Sequence, residues 1–380
     1  MAHRAHFDYI IVGNGLAGLQ LALEMASDAF FNEKQIALID PSEKNLNDKT
    51  WSFWETEPTK WKNLPYKTWD KAIISTSKKT ISLNLSPYTY KSIKAIDFYN
   101  YAKSELKNYN NFHFIVDKVE SISTDFQPVV ITKNTKLRAG HVFDSRIPDE
   151  FYNANKSINI NQHFKGIVIK TQDAVFNDKA VTMMDYRLKD GAQTTFTYVL
   201  PFSKYEALIE FTYFTKNVVT EDIYDTFISA YINKYLKIDS YRIIESEQGN
   251  IPMTTFPFDD FNTKNVTKIG TGGGWVKPSS GYSFKHTEKR VAKIIENIKS
   301  GKIPSANLFK KKYKFYDKVF LKVLHDENHK GEWIFQQFYD KNDIKTMFRF
   351  LDEESTFFEE LKIMTSLFSW SFIKAFFKTF

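Results

Sequence analysis

A glycine-rich loop near the start of the chain restricts its fold more than any other feature. The loop consists of Gly13, Asn14, Gly15, Leu16, Ala17 and Gly18. The apolar run at residues 9–12 before it predicts a buried parallel strand, and the apolar residues after it recur at helical spacing. A Gly-x-Gly-x-x-Gly pattern between a strand and a helix is typical of a Rossmann-type dinucleotide-binding unit.

Each glycine of this loop has its own physical purpose. Gly13 permits a tight turn, Gly15 lets the backbone approach a pyrophosphate, and Gly18 lets the helix pack closely on the sheet. A second apolar run, at residues 36–39, ends in Asp40, whose carboxylate would accept the ribose hydroxyls. This acid favours FAD or NAD over NADP, and the N-terminal position of the loop favours FAD. The alternative is a glycine-rich turn that binds nothing.

The composition narrows the remaining classes of protein. A chain of 380 residues can form one or two domains with an extension. The absence of cysteine excludes disulfides and thiolate chemistry and is consistent with a reducing cytoplasm. We find no secretory signal, membrane-spanning stretch or nucleic-acid-binding motif, and the net charge of +7 favours a membrane surface or simply a solvated exterior. His325 and His329 are spaced as a possible metal pair, but no third ligand accompanies them, so we predict no metal.

The order of the patterns predicts an α/β protein. A Rossmann-type FAD-binding domain is interleaved with an antiparallel-sheet substrate domain and followed by a helical C-terminal region. The FAD-binding domain would end its first part with a strand that stops at Asp144, beside the nucleotide crevice. The predicted divisions are residues 1–150 (first part of the FAD-binding domain, with an insertion near 55–95), 151–260 (antiparallel sheet), 261–300 (return to the FAD-binding domain) and 301–380 (helical region).

Local patterns place the individual elements. Predicted strands cover residues 72–75, 81–85, 113–116, 164–170, 180–185, 194–200 and 206–213, and a hairpin covers 118–123 and 129–133. One predicted helix is capped by Asp97 and runs to Leu106. A second covers residues 221–236, with its packed face formed by Ile223, Phe227, Ala230, Tyr231 and Tyr235. The segment at residues 47–54 would pass near a flavin.

A second glycine-rich loop lies at residues 268–282. It contains Gly272, Gly273, Pro278 and Gly281, and a helix is predicted to begin near Ser283 directly after it. A strand, a Gly-Pro loop and a helix N-terminus in this order would meet the isoalloxazine end of a flavin, where the helix dipole stabilises negative charge. The alternative is an ordinary glycine-rich turn.

The C-terminal tail is rich in phenylalanine. Met364, Phe368, Phe372, Phe376 and Phe380 recur every four residues, whereas Ser371, Lys374 and Lys378 lie on another face. A basic amphipathic helix with Phe and Trp suits a membrane interface. The alternative is a C-terminal helix packed on the core.

Glu210 is the most unusual titratable residue of the chain. It lies in a largely apolar strand, where alternation places it on the same face as Leu208 and Thr212. Burial of a carboxyl group raises its pKa, which suits a general acid that works near neutral pH. The alternative is a glutamate that is exposed at an edge or paired with Arg187 or Lys204.

Taken in order, these motifs resemble the lycopene beta-cyclase family, the bacterial carotenoid cyclases among the flavoproteins. The resemblance covers nearly the whole chain and rests on the first glycine-rich loop and residues 48–51, 162–166, 184–186, 198–201, 249–253 and 273–282. Residues 208–212 resemble the family's acidic motif, Phe-Leu-Glu-Glu-Thr in plant members. Glu210 matches the first acid of that motif. Phe211 replaces the second, which weakens any scheme that needs two adjacent carboxylates.

The resemblance implies an enzyme that converts lycopene to gamma-carotene and then to beta-carotene without net redox change. Glu210 would protonate the terminal double bond at C2, the cation would close C1 to C6, and a base, which could be Glu210 itself, would remove the C6 proton. FAD would act reduced, as a negatively charged stabiliser, with NADPH as external reductant. Because lycopene dissolves in the bilayer, the resemblance implies a cytoplasmic protein bound peripherally to the inner face of the cell membrane.

Two other classes of protein stay open at this point. A flavin-dependent monooxygenase or isoprenoid reductase of the same fold would consume NAD(P)H stoichiometrically, whereas a cyclase would not. A non-enzymatic carotenoid-binding membrane protein would be unaffected by substitution of Glu210.

Overall fold

The computed structural model describes residues 6–56, 61–124, 127–154 and 156–379. Its strands are β1 (His6–Val12), β2 (Ile36–Asp40), β3 (Thr50–Glu55), β4 (Lys67–Trp69), β5 (Lys71–Ser75), β6 (Thr80–Asn84), β7 (Thr89–Lys94), β8 (Phe112–Val116), β9 (Val119–Ser123), β10 (Val129–Thr132), β11 (Lys136–Asp144), β12 (Asn159–Lys170), β13 (Ala180–Asp185), β14 (Thr195–Pro201), β15 (Glu206–Thr215), β16 (Arg242–Thr254) and β17 (Val266–Lys268). Its α-helices are α1 (Leu16–Ala26), α2 (Ala95–Leu106), α3 (Glu221–Tyr231), α4 (Phe284–Lys299), α5 (Lys311–Asp326), α6 (Gly331–Lys341), α7 (Ile344–Leu351), α8 (Phe357–Ser366) and α9 (Trp370–Thr379).

The first sheet has the predicted nucleotide-binding architecture. Its strands lie in the order β8-β2-β1-β11-β10-β9, and β17 pairs with β11. The strands β8, β2, β1, β11 and β17 are parallel, whereas β9 and β10 form the predicted antiparallel hairpin. Val12 pairs with Ile39 on one side and with Asp144 on the other, so three strands end at one edge of the sheet. Helices α1, α2 and α4 bury their apolar side chains on one face.

The second sheet is the predicted antiparallel one, extended at both ends. Its order is β16-β12-β15-β14-β13-β5-β6, and its only parallel pair among the described strands is β13 with β5. The predicted insertion near residues 55–95 supplies β5 and β6, and β3, β7 and β4 form a small third sheet. The predicted strands are confirmed, but β16 has no counterpart among them. The domain boundaries given above stay a prediction.

One face of the second sheet is covered by α3. His163 on β12 is buried and hydrogen-bonds Tyr224 of α3 and Thr215 of β15, and burial lowers its pKa to about 4. Lys165, two residues along the same face, forms salt bridges with α3. Because side chains alternate along a strand, Gln162, Phe164 and Gly166 face the other side of the sheet.

The opposite face of the second sheet packs against the helical region. Buried side chains of α5, α6, α7, α8 and α9 form one apolar core with residues of β12 to β15. The two sheets are therefore covered by different helices: α1, α2 and α4 pack on the first sheet, whereas α5 to α9 pack on this face of the second sheet. No helix in the described part of the chain is long and apolar enough to cross a membrane.

Two predicted helices need correction. Helix α2 begins at Ala95, so Asp97 lies in its first turn and is not its cap. In the 221–236 segment an α-helix passes into a π-helical turn, and the buried residues of α3 are Tyr224, Ile228 and Tyr231. The predicted Ile223 and Phe227 are only partly buried, because the sheet contacts the neighbouring side of the helix.

The tail also differs from the prediction. The chain leaves the helix between α8 and α9, so Met364 and Phe368 do not continue one straight stripe. Helix α9 buries Ser371, the small residue Ala375 and Thr379 and packs Phe372 against the core, whereas Trp370 and Phe377 face solvent. Ser371 therefore does not lie on an exposed polar face as predicted. Phe380 lies outside the described residues.

Candidate active site

The loop between β1 and α1 forms one end of the site. Gly13 has a φ of +100°, and a Cβ at Gly18 would lie 2.0 Å from the carbonyl oxygen of Gly13. The turn and the packing of α1 therefore require both glycines. Gly15 is different, because a Cβ built there meets no atom within 4 Å. The backbone at Gly15 borders open space that a ligand can approach.

The start of α1 offers hydrogen-bond donors to this space. Gly15 is the N-cap and provides no side-chain cap, so the first N–H groups of the helix lack partners within it. Leu16, Ala17 and Gly18 line a cavity, and Oδ1 of Asn14 is buried without a partner among the described residues. Free N–H groups and the positive end of the helix dipole fit the pyrophosphate of a dinucleotide.

The two carboxylates predicted at the strand ends are engaged by the protein itself. Asp40 accepts the backbone N–H of Asn14 at 2.8 Å and so holds the loop on β2. Asp144 binds Lys268 and Arg146, both at 2.9 Å. Burial opposes ionisation of Asp144, but these two cations lower its pKa. Neither carboxylate lines the cavity, and their contact with a cofactor stays a prediction.

Two glycines of the second loop allow the chain to cross the end of the sheet. A Cβ at Gly272 would lie 2.3 Å from the carbonyl oxygen of Arg146, and one at Gly273 would lie 2.5 Å from that of Lys268. Both glycines are needed for backbone packing, and neither lines the cavity, nor does Pro278. Their binding to a cofactor also stays a prediction.

Other residues of the second loop form the cavity wall. Gly281 has a φ of +75°, and a Cβ there would lie 1.8 Å from Oε1 of Gln162 on β12. Lys277 is buried and binds Asp317 of α5 at 2.9 Å and Glu353 at 3.4 Å. The loop is thus tied to the second sheet and to the helical region. Its residues in the wall are Gly270, Thr271, Trp275, Val276, Ser279, Ser280, Gly281 and Tyr282.

One cavity of about 520 Å³ connects the first loop with the helical region. Residues 48–52, from the segment predicted to pass near a flavin, also line it. Its walls are rich in aromatic rings, which belong to Trp51, Tyr90, Tyr99, Phe164, Phe196, Tyr198, Phe214, Trp275, Tyr282, Phe284, Phe320, Phe335, Phe338, Tyr339 and Phe350. The polar, glycine-lined end and the aromatic end are therefore parts of one space.

Glu210 lies in the wall of this cavity. Its side chain is buried (7% exposed), and its Oε1 accepts a hydrogen bond of 2.6 Å from the hydroxyl of Thr212. Burial, and after it the charge of a second carboxylate, raises the pKa of Glu210 to about 8. Arg187 binds Asp185 instead, and no salt bridge joins Glu210 to Lys204 or any other described cation. The alternative of an exposed or salt-bridged glutamate is therefore wrong.

A row of paired residues crosses the sheet at Glu210. Tyr198 on β14 pairs with Glu210 on β15, Glu210 pairs with Gly166 on β12, and Gly166 pairs with Glu247 on β16. Paired residues of neighbouring strands project on the same face. Since Gly166 has no side chain, the two glutamates flank a position without one.

Glu247 is the second carboxylate of the cavity, and the sequence gives little sign of it. Its strand, β16, is polar at most positions and lacks the apolar alternation that marks a strand. Oε2 of Glu247 accepts a hydrogen bond of 2.9 Å from the hydroxyl of Thr50, and burial of the carboxyl group raises its pKa to about 7. Phe211 faces away from the cavity and stacks on Phe227 at 4.6 Å. The replacement of the motif's second acid by Phe211 thus removes no carboxylate from this cavity.

Three tyrosines form a hydroxyl network beside Glu210. The hydroxyl of Tyr90 lies 2.7 Å from that of Tyr198 and 3.0 Å from that of Tyr282. Tyr198 donates to the hydroxyl of Ser52 at 2.9 Å. Burial holds the pKa of all three tyrosines well above the ordinary value, so they stay neutral in the wall of the cavity.

His325 and His329 lie on different elements of the fold. Helix α5 ends at Asp326, so His325 and His329 do not share a helix face. Nδ1 of His325 lies 2.9 Å from the carboxylate of Asp326. Within the described ranges, no group of three or more His, Asp or Glu side chains is arranged to hold a metal ion.

Solved structures define the class of this fold. A geranylgeranyl bacteriochlorophyll reductase-like protein from Thermoplasma acidophilum aligns with a TM-score of 0.65 and 10% identity over 99% of this chain and 100% of that one. The flavin-dependent brominase Bmp2 aligns with a TM-score of 0.61 and 14% identity over 95% and 93%. A mutant of halogenase PltM in complex with FAD aligns with a TM-score of 0.57 and 10% identity over 98% of this chain and 90% of that one. The chain has a Rossmann-type flavoprotein fold.

The sequence then identifies the family. The model for "Lycopene cyclase protein" matches residues 8–376, so the chain belongs to the lycopene cyclase family and the resemblance is confirmed. Chloroplastic neoxanthin synthase of Solanum lycopersicum is 23% identical over 323 residues, 79% of this chain and 62% of the relative. Chromoplastic capsanthin/capsorubin synthase of Capsicum annuum is 24% identical over 305 residues, which are 73% of this chain and 58% of the relative. The chain spans about three fifths of the length of these curated relatives.

Proposed function

We propose that this chain is a lycopene cyclase that closes beta-ionone rings, converting lycopene to gamma-carotene and then to beta-carotene. The observation that carries the proposal is the buried carboxyl group of Glu210 in an aromatic cavity that reaches the dinucleotide loop. Such a group stays protonated at neutral pH and can act as a Brønsted acid on an apolar substrate. The family model and the carotenoid-enzyme relatives support the same substrate class.

The residues of the cavity would act in sequence. Glu210 donates its proton to C2 of the terminal double bond, which leaves a cation at C1. The neighbouring double bond attacks this cation and closes C1 to C6, and loss of the C6 proton to a carboxylate restores neutrality. One proton enters and one leaves, so no electron acceptor is required. The faces of nearby aromatic rings stabilise the cation, and the apolar walls exclude water that would capture it.

FAD is the cofactor that we propose for the glycine-lined end of the cavity. The first loop and the start of α1, from Gly13 to Gly18, would hold its pyrophosphate. The second loop and α4 would lie near the ring system. When bound in its reduced form, FAD would supply negative charge that stabilises the cation, with NADPH as external reductant. Because the chemistry is redox-neutral, the reductant would not be consumed in each turnover.

We further propose that the protein is cytoplasmic and binds peripherally to the inner face of the cell membrane. Its substrate dissolves in the bilayer, and helices α8 and α9 expose an apolar surface. This surface, called here the tail surface, consists of Phe357, Phe358, Leu361, Met364, Phe368, Trp370, Phe376 and Phe377. The adjoining helices α6 and α7, with Leu367, line the aromatic end of the cavity, so docking here would bring that end close to the lipid.

A flavin-dependent redox enzyme is the second candidate function. The fold similarity to the reductase-like protein of Thermoplasma acidophilum supports an isoprenoid reductase, and the similarity to halogenases supports a monooxygenase-like reaction. Both reactions consume NAD(P)H stoichiometrically. The cyclase reaction does not, so the ratio of NAD(P)H consumed to product formed separates the two.

Pigment analysis of lycopene-producing bacteria tests the proposed function. We expect beta-carotene from cells expressing the wild type and only lycopene from cells expressing Glu210→Gln. Glu206→Gln, at the start of the same strand and outside the cavity, is the matched control and should form beta-carotene. Beta-carotene from cells expressing Glu210→Gln would show that Glu210 is not the essential acid. Unchanged lycopene with folded, FAD-loaded wild type under reducing conditions would favour the redox enzyme.

A further inference from the structure

Two glutamates approach one glycine from opposite sides. A Cβ placed on Gly166 would lie 3.3 Å from Cβ of Glu210 and 3.4 Å from Cγ of Glu247, so both side chains border the same position. Leu208 also reaches it, since its Cδ1 would lie 2.9 Å from that Cβ. Both glutamates line the cavity, and a larger residue at position 166 would separate them. The fold therefore brings together two carboxyl groups that are far apart in sequence.

We propose that Glu247 is a second catalytic carboxylate, which accepts the proton released by the substrate while Glu210 donates the first. This assignment rests on the proposed function, because it concerns the two proton transfers of the cyclisation. Glu210 is the better donor, since it is buried and bonded only to the Thr212 hydroxyl among the described residues. Each glutamate accepts one threonine hydroxyl, so these hydrogen bonds do not distinguish them, and Glu247 is the better acceptor because Lys49 and Lys94 stabilise its ionised form.

The charges around each group support this division. Glu210 is faced by Glu247 and by the neutral hydroxyls of Tyr198 and Tyr282. Glu247 is faced by Glu245 of its own strand, by Glu210, and by two cations, Lys49 and Lys94. Burial raises both pKa values, that of Glu210 to about 8 and that of Glu247 to about 7, so Glu247 gives up its proton at lower pH than Glu210 does.

The proton balance closes over one ring. Glu210 transfers its proton to C2 and becomes ionised, the C1–C6 bond forms, and the C6–H bond breaks as its proton goes to Glu247. The two glutamates have then exchanged protonation states, so that Glu247 is neutral and Glu210 is charged. A single proton transfer from Glu247 to Glu210 past Gly166, directly or through water, restores the starting state. No electrons are gained or lost.

The test measures kcat and KM of the FAD-loaded enzyme under reducing conditions, with lycopene in liposomes, from about pH 5 to about pH 10. We expect a bell-shaped dependence of kcat/KM for the wild type. Glu247→Gln should lower kcat at least about tenfold with KM little changed, and it should remove the acid limb of the profile. Glu206→Gln again serves as the matched control, because this residue lies outside the cavity and faces neither glutamate. It should keep the wild-type kcat and both limbs.

The outcomes separate this assignment from the proposed function. A wild type that forms no ring would contradict both the cyclase function and the role of Glu247. If the wild type is active, a Glu247→Gln variant that is equally active or keeps the acid limb of the pH profile would contradict only the role of Glu247. If Glu247→Gln folds poorly, Glu247→Asp should restore part of kcat.

Discussion

At the scale of single residues, the burial of Glu210 links the chemistry of the site to the stability of the fold. Its pKa is raised from 4.5 to about 8 in the folded chain. The unfolded chain releases this proton at lower pH than the folded chain does. The contribution of Glu210 to folding stability is therefore fully present below about pH 4.5 and is lost as the pH rises toward 8. The acid that the proposed reaction needs is a group that weakens the fold at the pH where it works.

Glu210→Gln should accordingly stabilise the protein at alkaline pH. Glutamine fills the same space without ionising, so the variant and the wild type should differ least at about pH 4. At about pH 9 the free energy of unfolding should be higher in the variant by on the order of 5 kcal/mol, because each pKa unit corresponds to about 1.4 kcal/mol. Urea unfolding at a series of pH values measures this difference. Glu206→Gln should show no such pH-dependent gain, and a Glu210→Gln variant less stable than wild type at about pH 9 would contradict the raised pKa.

Prediction of single residues from the sequence succeeds where the signal is local. Glu210 interrupts an apolar strand, and strand alternation alone places it on the face of Leu208 and Thr212. Glu247 cannot be found in this way, because its position depends on which strands become neighbours. The pairing of β16 with β12 joins residues on two sides of Gly166. For the same reason the sequence motif alone suggests a missing acid, although the cavity receives its second carboxylate from another strand.

At the scale of elements, the β1–loop–α1 unit contains two kinds of glycine. Gly18 is enclosed by the backbone of Gly13, whereas Gly15 borders open space. This unit is predictable because all of its determinants lie within a short stretch of sequence. The second loop is predictable as an element too, but which of its glycines face the cavity depends on how the loop crosses Arg146 and Lys268.

Substitution of the two glycines should separate cofactor binding from folding. Gly15→Ala adds a methyl group to open space, so the protein should fold normally but retain less than about a tenth of the wild-type FAD after purification. Gly18→Ala places a methyl group against a carbonyl oxygen and should lower the melting temperature and the soluble yield. Flavin absorbance per folded chain and thermal unfolding of the apoprotein measure the two effects. A Gly15→Ala variant with full FAD content would contradict the proposed binding site.

The predictions for α3 and for the C-terminal tail are wrong for the same physical reason. Periodicity identifies an apolar stripe, but the contact that a helix makes decides which side of the stripe is buried. Tyr224 of α3 bonds to His163 of the sheet and is fully buried, whereas Ile223 and Phe227 pack at the margin of the same cluster and stay partly exposed. In the tail, a regular recurrence of aromatic residues continues across the break between α8 and α9, where the helix is interrupted.

At the scale of the whole molecule, the tail surface inverts the usual distribution of side chains. Phe368 is 73% exposed, Trp370 76% and Phe377 74%, while Ser371 and Thr379 are buried. Large exposed apolar patches on proteins mark surfaces that bind something. Two helices that follow one another in the chain, α8 and α9, contribute exposed apolar side chains to the tail surface. A lipid interface accepts such a surface without requiring a shaped partner.

Replacing Phe368, Trp370 and Phe377 by serine should weaken membrane binding without weakening the fold. All three side chains are exposed, so we expect an unchanged melting temperature. Sedimentation with vesicles that contain anionic lipid should show an affinity at least about tenfold lower than that of the wild type. Tyr152→Ser, which replaces a similarly exposed aromatic residue away from the tail surface, should bind as the wild type does. Equal binding by the triple variant would exclude the tail surface as the membrane contact.

The size of the cavity sets how a long substrate can be processed. A volume of about 520 Å³ is that of a site for one drug-sized molecule, and under the proposed function part of it would hold a dinucleotide. A linear polyene with two identical ends would then be too long to be enclosed with the cofactor, so its unreacted half would lie outside the cavity while the other end reacts. Under the proposed function the enzyme is therefore distributive. It must release the singly closed carotenoid, which then reverses its orientation and competes with fresh substrate for a second visit.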